Sequence, residues 1–124
     1  DIGARMGGNL IGSHIVPLGT GVDYIGNMIK AAVGDETDFK ANTKSHVATS
    51  LLALDSGKVK ALPDFEKIRK EFGVMTEHHL NVGDVINPYR TNLDGCGYVI
   101  STEDEPHNRT LRALEKINNE IVRE

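Results

Sequence analysis

The feature that most constrains the fold of this chain is a change in the spacing of its apolar residues. Up to Gly34 they recur at steps of three and four, the period of an α-helix, whereas from Ser45 onwards the residues suit short strands. Helical spacing returns after Thr102. With 39% hydrophobic residues in 124, the chain can bury a modest core. This order of elements predicts an α+β fold.

The first 34 residues are expected to form a glycine-rich loop followed by a helix. Four glycines fall between Gly3 and Gly12, and such a loop can bring its backbone close to another group. Thr20 and Asp23 have the spacing of a capping box, and Gly34 is well placed to end the helix in a left-handed conformation. The residues expected to form its buried stripe are Val22, Ile25, Met28, Ile29 and Ala32.

Residues 35–44 are polar and predict a surface connection to a second part of the chain. There, His46–Leu54 and Lys58–Leu62 predict a β-hairpin turned at Asp55-Ser56-Gly57. A short helix is expected from Pro63 and Asp64 to Gly73. Its expected buried face is Phe65, Ile68 and Phe72.

Short apolar segments then alternate with turn residues, as in an antiparallel sheet. The segments are Val74–Leu80, Val85–Ile86 and Gly97–Ser101. A last helix should begin between Thr102 and Pro106. Its expected apolar stripe is Leu111, Leu114, Ile117 and Ile121. Residues 1–44 and 45–124 are thus expected to be separate parts, the second an antiparallel sheet with two helices.

Composition excludes several classes of function. The formal net charge of −4 offers no basic surplus for nucleic acid or an anionic membrane. No apolar run approaches the roughly 18 to 20 residues that cross a bilayer, and no secretory signal is recognisable. Cys96 is the only cysteine, so an intrachain disulfide and a thiolate zinc cluster are both excluded. These features predict a soluble cytoplasmic protein.

The opening string Asp1-Ile2-Gly3-Ala4-Arg5-Met6-Gly7-Gly8-Asn9 resembles the final motif of the ATP-grasp superfamily, in its amino-acid ligase branch. Thr20-Gly21-Val22-Asp23 and the helix after it are similar to the segment that follows this motif in biotin carboxylase and the large subunit of carbamoyl-phosphate synthase. The strands and last helix resemble the small β-rich carboxy-terminal part of these ligases. The chain starts at Asp1 rather than Met, which favours a piece of a longer enzyme.

The resemblance implies ATP-dependent ligation of a small carboxylate to an amine through an acyl phosphate. Asp1, where relatives commonly have Glu, would hold Mg²⁺, and Arg5 would stabilise the transferred charge. The backbone of Gly7, Gly8 and Asn9 would line the acyl-substrate side of the pocket. The residues that bind the rest of ATP would lie in a missing amino-terminal part, so the isolated chain is expected to be inert.

Other interpretations remain open from the residues alone. The chain could be a noncatalytic β-rich packing or dimerisation module, with the glycines forming merely a tight turn. A homodimer through the apolar side of the Val22–Ala32 helix is a further possibility. His78 and His79 should face opposite sides of a strand, and Cys96 should be a small buried hydrophobe.

Overall fold

The computed structural model describes residues 5–124, and the chain divides into two compact units, Asp1–Val47 and Ala48–Glu124. The helical elements are a π-helical turn (Ile11–Ile15), α1 (Val16–Thr20), α2 (Tyr24–Val33), α3 (Phe65–Phe72), a 3₁₀ turn (Asn92–Asp94) and α4 (Pro106–Glu120). The strands are β1 (Val47–Leu51), β2 (Gly57–Ala61), β3 (Met75–His78), β4 (Val85–Ile86), β5 (Gly97–Thr102) and β6 (Val122–Arg123). The α+β class is confirmed. Among the helices of residues 5–124, none is both long enough and apolar enough to cross a bilayer.

Helix α2 begins and ends on side-chain and glycine signals. The carboxylate of Asp23 accepts a hydrogen bond from the Gly26 amide at 2.9 Å, and Gly34 ends the helix with φ 82°. The predicted glycine end is confirmed. The prediction that Thr20 caps this helix is wrong, because Thr20 is the last residue of α1 and its hydroxyl donates to the Val16 carbonyl at 2.7 Å.

The polar segment after α2 is tied to the helix by one buried amide. Asn27, only 6% exposed, donates from Nδ2 to the Asp38 carbonyl and accepts from the Asp38 amide, both at 2.7 Å. The rings of Tyr24 and Phe39 meet edge to face with centroids 5.9 Å apart. Residues 35–46 are exposed, as predicted for a surface connection.

These contacts set the orientation of α2 and overturn the predicted buried stripe. Val22 is buried, but the remaining predicted members lie at the surface, and the buried residue of the helix is the polar Asn27. Hydrogen bonds from Asn27 to the backbone of residue 38 can form only if this side faces the connection. The opposite side is called here the apolar face of α2. It comprises Ile25, Met28, Ile29, Ala32 and Val33, all exposed.

The second unit contains two three-stranded sheets, with strand orders β1-β5-β3 and β4-β2-β6. β3 and β5 are antiparallel, with Met75 opposite Ile100 and His78 opposite Gly97. β2 is antiparallel to both β4 and β6. The predicted strands at 74–80, 85–86 and 97–101 are therefore present with shorter or shifted ends, but they do not form one sheet.

The predicted hairpin between β1 and β2 is wrong, because the two strands belong to different sheets. Beyond β1, the Leu52 amide donates to the Gly97 carbonyl at 2.8 Å, and the Leu52 carbonyl accepts from the Cys96 amide at 3.0 Å. Leu52 and Leu54 are both buried. The chain thus continues beside β5 and into the core instead of reversing in a tight turn.

The core of the second unit lies between its sheets and helices. α3 is capped by Asp64, which accepts from the Lys67 amide at 2.9 Å, and it ends at Gly73 with φ 59°. Both ends and the predicted buried face are confirmed. The buried apolar cluster consists of Leu52, Leu54, Val59, Phe65, Ile68, Val74, Leu80, Ile86, Cys96, Val99, Ala113, Ile117 and Ile121.

Helix α4 begins at Pro106 as predicted. Its predicted stripe is confirmed at Ile117 and Ile121, which are buried, and at Leu114, which packs partly buried against the core, but it is wrong at Leu111. Leu111 is 46% exposed, whereas Thr110 is buried and its hydroxyl lies 2.6 Å from that of Ser101 in β5. This hydroxyl pair satisfies two polar groups inside the unit, so a threonine takes the position expected for leucine. The last residues, expected to continue the helix, instead form β6 against β2.

Lowering the pH from 7.5 to 5 should destabilise the second unit through His78. The His78 ring stacks on the Phe65 ring with centroids 3.9 Å apart, and its Nδ1 is buried without a hydrogen-bond partner among the described residues. Desolvation by burial, helped by the positive charge of Arg69 and by His79, lowers the pKa of His78 below its ordinary value of 6.5. The unfolded chain therefore binds the proton more readily. The contribution of neutral His78 to the free energy of unfolding is complete above pH 6.5, and it is lost as the pH falls toward the lowered pKa.

Urea unfolding at several pH values would measure this effect. Substitution His78→Phe should keep the stack and reduce the loss of stability between pH 7.5 and 5. Substitution of the exposed His107 by Gln should leave that loss unchanged. Equal pH dependence in His78→Phe and in the unsubstituted chain would show that another group is responsible.

Candidate functional site

The predicted catalytic residue Arg5 and the predicted substrate-binding residues lie in an exposed loop at the start of the described chain, called here the glycine loop (residues 5–10). Arg5, Gly7, Gly8 and Asn9 are all exposed. Among the described residues, the Arg5 guanidinium bonds only to the carbonyl of the neighbouring Met6, at 3.2 Å. Asp1, the predicted Mg²⁺ ligand, lies outside the described residues.

The end of the glycine loop contains an unusual backbone conformation. Asn9 and Leu10 have φ values of 51° and 65°, so two consecutive residues other than glycine are left-handed. Asparagine tolerates this region, but a bulky leucine there is strained by roughly 1–2 kcal/mol. Strain of this kind occurs preferentially at functional sites, where the surrounding structure maintains it.

A second rare feature follows directly. The amide of Ile15 donates to the Leu10 carbonyl at 3.0 Å, five residues back, in the π-helical turn Ile11–Ile15. Pro17, in the first turn of α1, has no amide to donate to a preceding carbonyl, so the regular α-helical hydrogen bond from this position cannot form. π-helical turns are also frequent at functional sites. The π-helical turn lies next to the left-handed pair, so two rare backbone features indicate a functional segment here independently of any motif.

The three glycines of this region have different structural requirements. A Cβ on Gly12 would lie 2.6 Å from the sulfur of Met6, and one on Gly7 would lie 2.7 Å from Cδ1 of Ile11. Both atoms are the ends of flexible, exposed side chains that can move aside. Only at the buried Gly12 does a second, rigid group lie close, with Tyr24 Cδ1 at 3.3 Å, so packing favours glycine at position 12. A Cβ on Gly8 would meet no atom within 4 Å, and this residue has no positive φ. The fold of the described chain does not require glycine at position 8.

Sequence reasoning assigned no role to the residues just after the loop. Ser13 Oγ and His14 Nδ1 are hydrogen-bonded at 2.8 Å on the π-helical turn, with Ser13 exposed and His14 half-buried. The pair brings two polar side chains to the segment that carries the glycine loop. Pro17 was the sequence signal that could have indicated this turn, because a proline inside a helical stretch is often accompanied by an irregular turn.

A cavity of about 320 Å³ lies in the second unit, and its polar rim is occupied by local structure. Asp94 lines it, but its carboxylate accepts from the amides of Thr91 at 2.8 Å and Arg90 at 2.9 Å. These hydrogen bonds, that from Thr91 first, lower the pKa of Asp94. Cys96 also lines the cavity, and burial raises the pKa of its thiol. Asp94 is engaged in its own turn, and Cys96 is a poor nucleophile.

Residues 5–124 contain no group of three or more His, Cys, Asp or Glu side chains placed to hold a metal ion. His78 and His79 lie on opposite sides of the strand end, the first half-buried and the second exposed. Comparison of the chain with models of protein families, with curated proteins and with solved structures finds no significant match.

The glycine loop can recognise an anion. A guanidinium is planar, stays protonated and offers paired donors to phosphoryl or carboxylate oxygens. The side chain of Arg5 is exposed, and the neighbouring Gly8 backbone has no side chain in front of it. A small anionic group could thus contact both the arginine and the backbone of the loop.

Proposed function

We propose that this chain is the carboxy-terminal segment of an ATP-dependent carboxylate–amine ligase of the ATP-grasp type. In the intact cytoplasmic enzyme, Arg5 stabilises the transferred phosphoryl group, and Gly7, Gly8 and Asn9 line the acyl-substrate side of the pocket. The amino-terminal part that binds the rest of ATP lies outside this chain. The segment alone is catalytically inactive.

The reaction has two steps. A carboxylate oxygen of the substrate attacks the γ-phosphorus of ATP, forming an acyl phosphate as the bond to ADP breaks. The amine nitrogen then attacks the acyl carbon, phosphate leaves with the C–O bond electrons, and the nitrogen loses a proton. In the first step negative charge shifts among the oxygens of the phosphoryl group. The guanidinium of Arg5, placed beside these oxygens, lowers the energy of that transition state.

The observation that carries the proposal is the glycine at position 8. A Cβ at Gly7 or Gly12 would contact neighbouring side chains, but no described atom comes within 4 Å of a Cβ at Gly8. A substrate group approaching the backbone would supply the missing reason. The strained Asn9–Leu10 pair and the π-helical turn support the same site.

Magnesium would be held at Asp1, which lies outside the described residues. A carboxylate is the ligand type that Mg²⁺ prefers, and Asp1 has the correct chemistry. When bound, the ion neutralises charge on the phosphate oxygens. Arg5 neutralises charge on the transferred phosphoryl group and needs no proton transfer to do so.

Positional isotope exchange in the intact enzyme tests the proposal before the amine is known. ATP labelled with ¹⁸O in the β,γ-bridge should exchange the label into nonbridging β positions when a suitable carboxylate from a panel of amino acids and dicarboxylates is added. Exchange without amine identifies an acyl phosphate. Failure of every carboxylate, together with no ATP and Mg²⁺ binding by the intact protein, would favour a noncatalytic packing module.

Substitution Gly8→Val should impair substrate binding without affecting folding. Gly8 is exposed and a Cβ there would meet no described atom within 4 Å, so the melting temperature should change little. In the intact ligase, KM for the carboxylate should rise about tenfold or more, which corresponds to about 1.4 kcal/mol.

The matched control is Ala41→Val, which enlarges another exposed residue of the same unit. It should leave KM unchanged. If Gly8→Val also leaves KM for the carboxylate unchanged, the backbone at position 8 does not contact the acyl substrate.

A further inference from the structure

The second step of the proposed ligase reaction requires a proton acceptor. When the amine nitrogen bonds to the acyl carbon, it carries one proton more than it keeps in the amide product. A side-chain base can take that proton directly only from within about 3 Å of the nitrogen. The acyl carbon is joined to the phosphoryl group through one oxygen, so the base must lie close to the group that Arg5 is proposed to contact.

The glycine loop has no such base, but the π-helical turn next to it does. Residues 5–10 contain no His, Asp, Glu, Cys or Tyr. His14 is the first side chain after the loop that can accept a proton at neutral pH. The next is Asp23, and its carboxylate already accepts the Gly26 amide at 2.9 Å as the cap of α2.

The glycine loop and the π-helical turn are packed together. The His14 amide donates to the Leu10 carbonyl at 2.9 Å, so the last residue of the loop fixes the backbone of His14. A Cβ on the buried Gly12 would lie 2.6 Å from the sulfur of Met6. The side chain of Met6, the neighbour of Arg5, thus lies against the residue two positions before His14.

The side chain of His14 is oriented by a hydrogen bond. Its Nδ1 lies 2.8 Å from Ser13 Oγ, and among residues 5–124 its Nε2 has no hydrogen-bond partner. His14 is half-buried and Ser13 is exposed. In the tautomer with the hydrogen on Nδ1, this nitrogen donates to Ser13 Oγ and Nε2 keeps its lone pair. Ser13 then holds the ring while the other nitrogen can accept a proton.

We propose that His14 is the general base of the second step and that Ser13 is its positioning residue. This inference rests on the proposed ligase function. As the C–N bond forms and phosphate leaves with the C–O bond electrons, His14 Nε2 takes the proton from the nitrogen, and the imidazolium then releases it to solvent. The first step needs no base, because the attacking carboxylate is already ionised at neutral pH.

Substitution His14→Asn should block the second step and leave the first intact. The asparagine amide can replace Nδ1 in the contact with Ser13 but cannot accept the proton. In the intact enzyme, amide formation with the best amine from a panel of amino acids should slow about a hundredfold or more, the usual contribution of a positioned base. Isotope exchange from bridge-labelled ATP requires no amine and should continue at the unsubstituted rate.

Hydroxylamine distinguishes a missing base from a damaged site. Its nitrogen is unprotonated at neutral pH and strongly nucleophilic, so it attacks an acyl phosphate without a base and forms a hydroxamate. The rate of hydroxamate formation should be the same in His14→Asn and in the unsubstituted enzyme. A purely structural role for His14 would instead slow both reactions together.

Variants of Ser13 test its positioning role. Ser13→Ala should slow amide formation by up to about tenfold, the effect of one hydrogen bond, and should spare exchange. Ser13→Thr retains the hydroxyl and should recover the rate. The matched control is His46→Asn, which removes an exposed histidine of the same unit and should leave amide formation unchanged.

Two results would overturn the role of His14 and leave the ligase proposal standing. One is unchanged amide formation in His14→Asn. The other is loss of isotope exchange together with amide formation in a His14→Asn enzyme whose melting temperature is unchanged. Absence of both exchange and hydroxamate in the unsubstituted enzyme, with every carboxylate of the panel, would overturn the ligase proposal itself.

Discussion

Substitution of Gly97 by alanine is expected to destabilise the second unit by about 4 kcal/mol, enough to unfold a marginal domain. Gly97 is buried at the start of β5, opposite His78 in β3, with φ 151°. A Cβ there would overlap the Glu77 carbonyl oxygen and lie 2.7 Å from Cα of His78. Both atoms are backbone, so they can retreat only if the ladder between β3 and β5 opens.

Urea unfolding followed by circular dichroism would measure this loss. Gly83→Ala is the control, because Gly83 also has a positive φ, 100°, but its Cβ would meet no atom within 4 Å. That variant should lose only about 1–2 kcal/mol of stability, because an alanine at positive φ is conformationally strained. Equal losses at the two positions would mean that β3 does not lie against Gly97 as described.

The requirement at Gly97 illustrates what the sequence could not predict. The residue was correctly placed in a strand from its local pattern. Its contact with Glu77 depends on the register of two strands about twenty residues apart, and local propensity does not determine register. The same limit explains the hairpin error, since Gly57 suggested a tight turn. A Cβ on Gly57 would in fact lie 3.1 Å from the Glu124 carbonyl, so glycine there allows the chain end to approach.

Predictions that depended on local signals were more successful. Gly34 and Gly73 end their helices, and Pro106 begins α4, because these effects act within one turn of the residue concerned. The orientation of α2 was predicted wrongly from hydrophobicity. One asparagine with two backbone hydrogen bonds, a nonlocal contact, outweighed four apolar side chains.

The candidate site was predicted only in part. Glycine content correctly indicated an exposed loop at residues 5–9, and the resemblance supplied the roles proposed for its residues. The left-handed pair at Asn9 and Leu10 was not predicted, because leucine rarely adopts that conformation. It could be recognised only once the chain after it was known to enter a π-helical turn.

Substitution Arg5→Ala should lower kcat of the intact ligase about a thousandfold, because an arginine placed on a transferred phosphoryl group contributes roughly 10³ or more to such reactions. The side chain is exposed and bonds, among described residues, only to the adjacent Met6 carbonyl. Its loss should therefore leave the melting temperature unchanged. The effect should fall on kcat more than on KM, since the guanidinium acts mainly on charge that develops in the transition state.

Two further variants separate charge from geometry. Arg5→Lys retains the positive charge but loses the paired planar donors, so it should recover only part of the rate. Arg90→Ala removes an exposed arginine of the second unit and should keep full activity. Isotope exchange from bridge-labelled ATP should disappear in Arg5→Ala together with turnover, because both require the acyl phosphate. Full exchange and turnover in Arg5→Ala would place phosphoryl transfer away from this loop, since no other arginine lies in the first unit to take over its role.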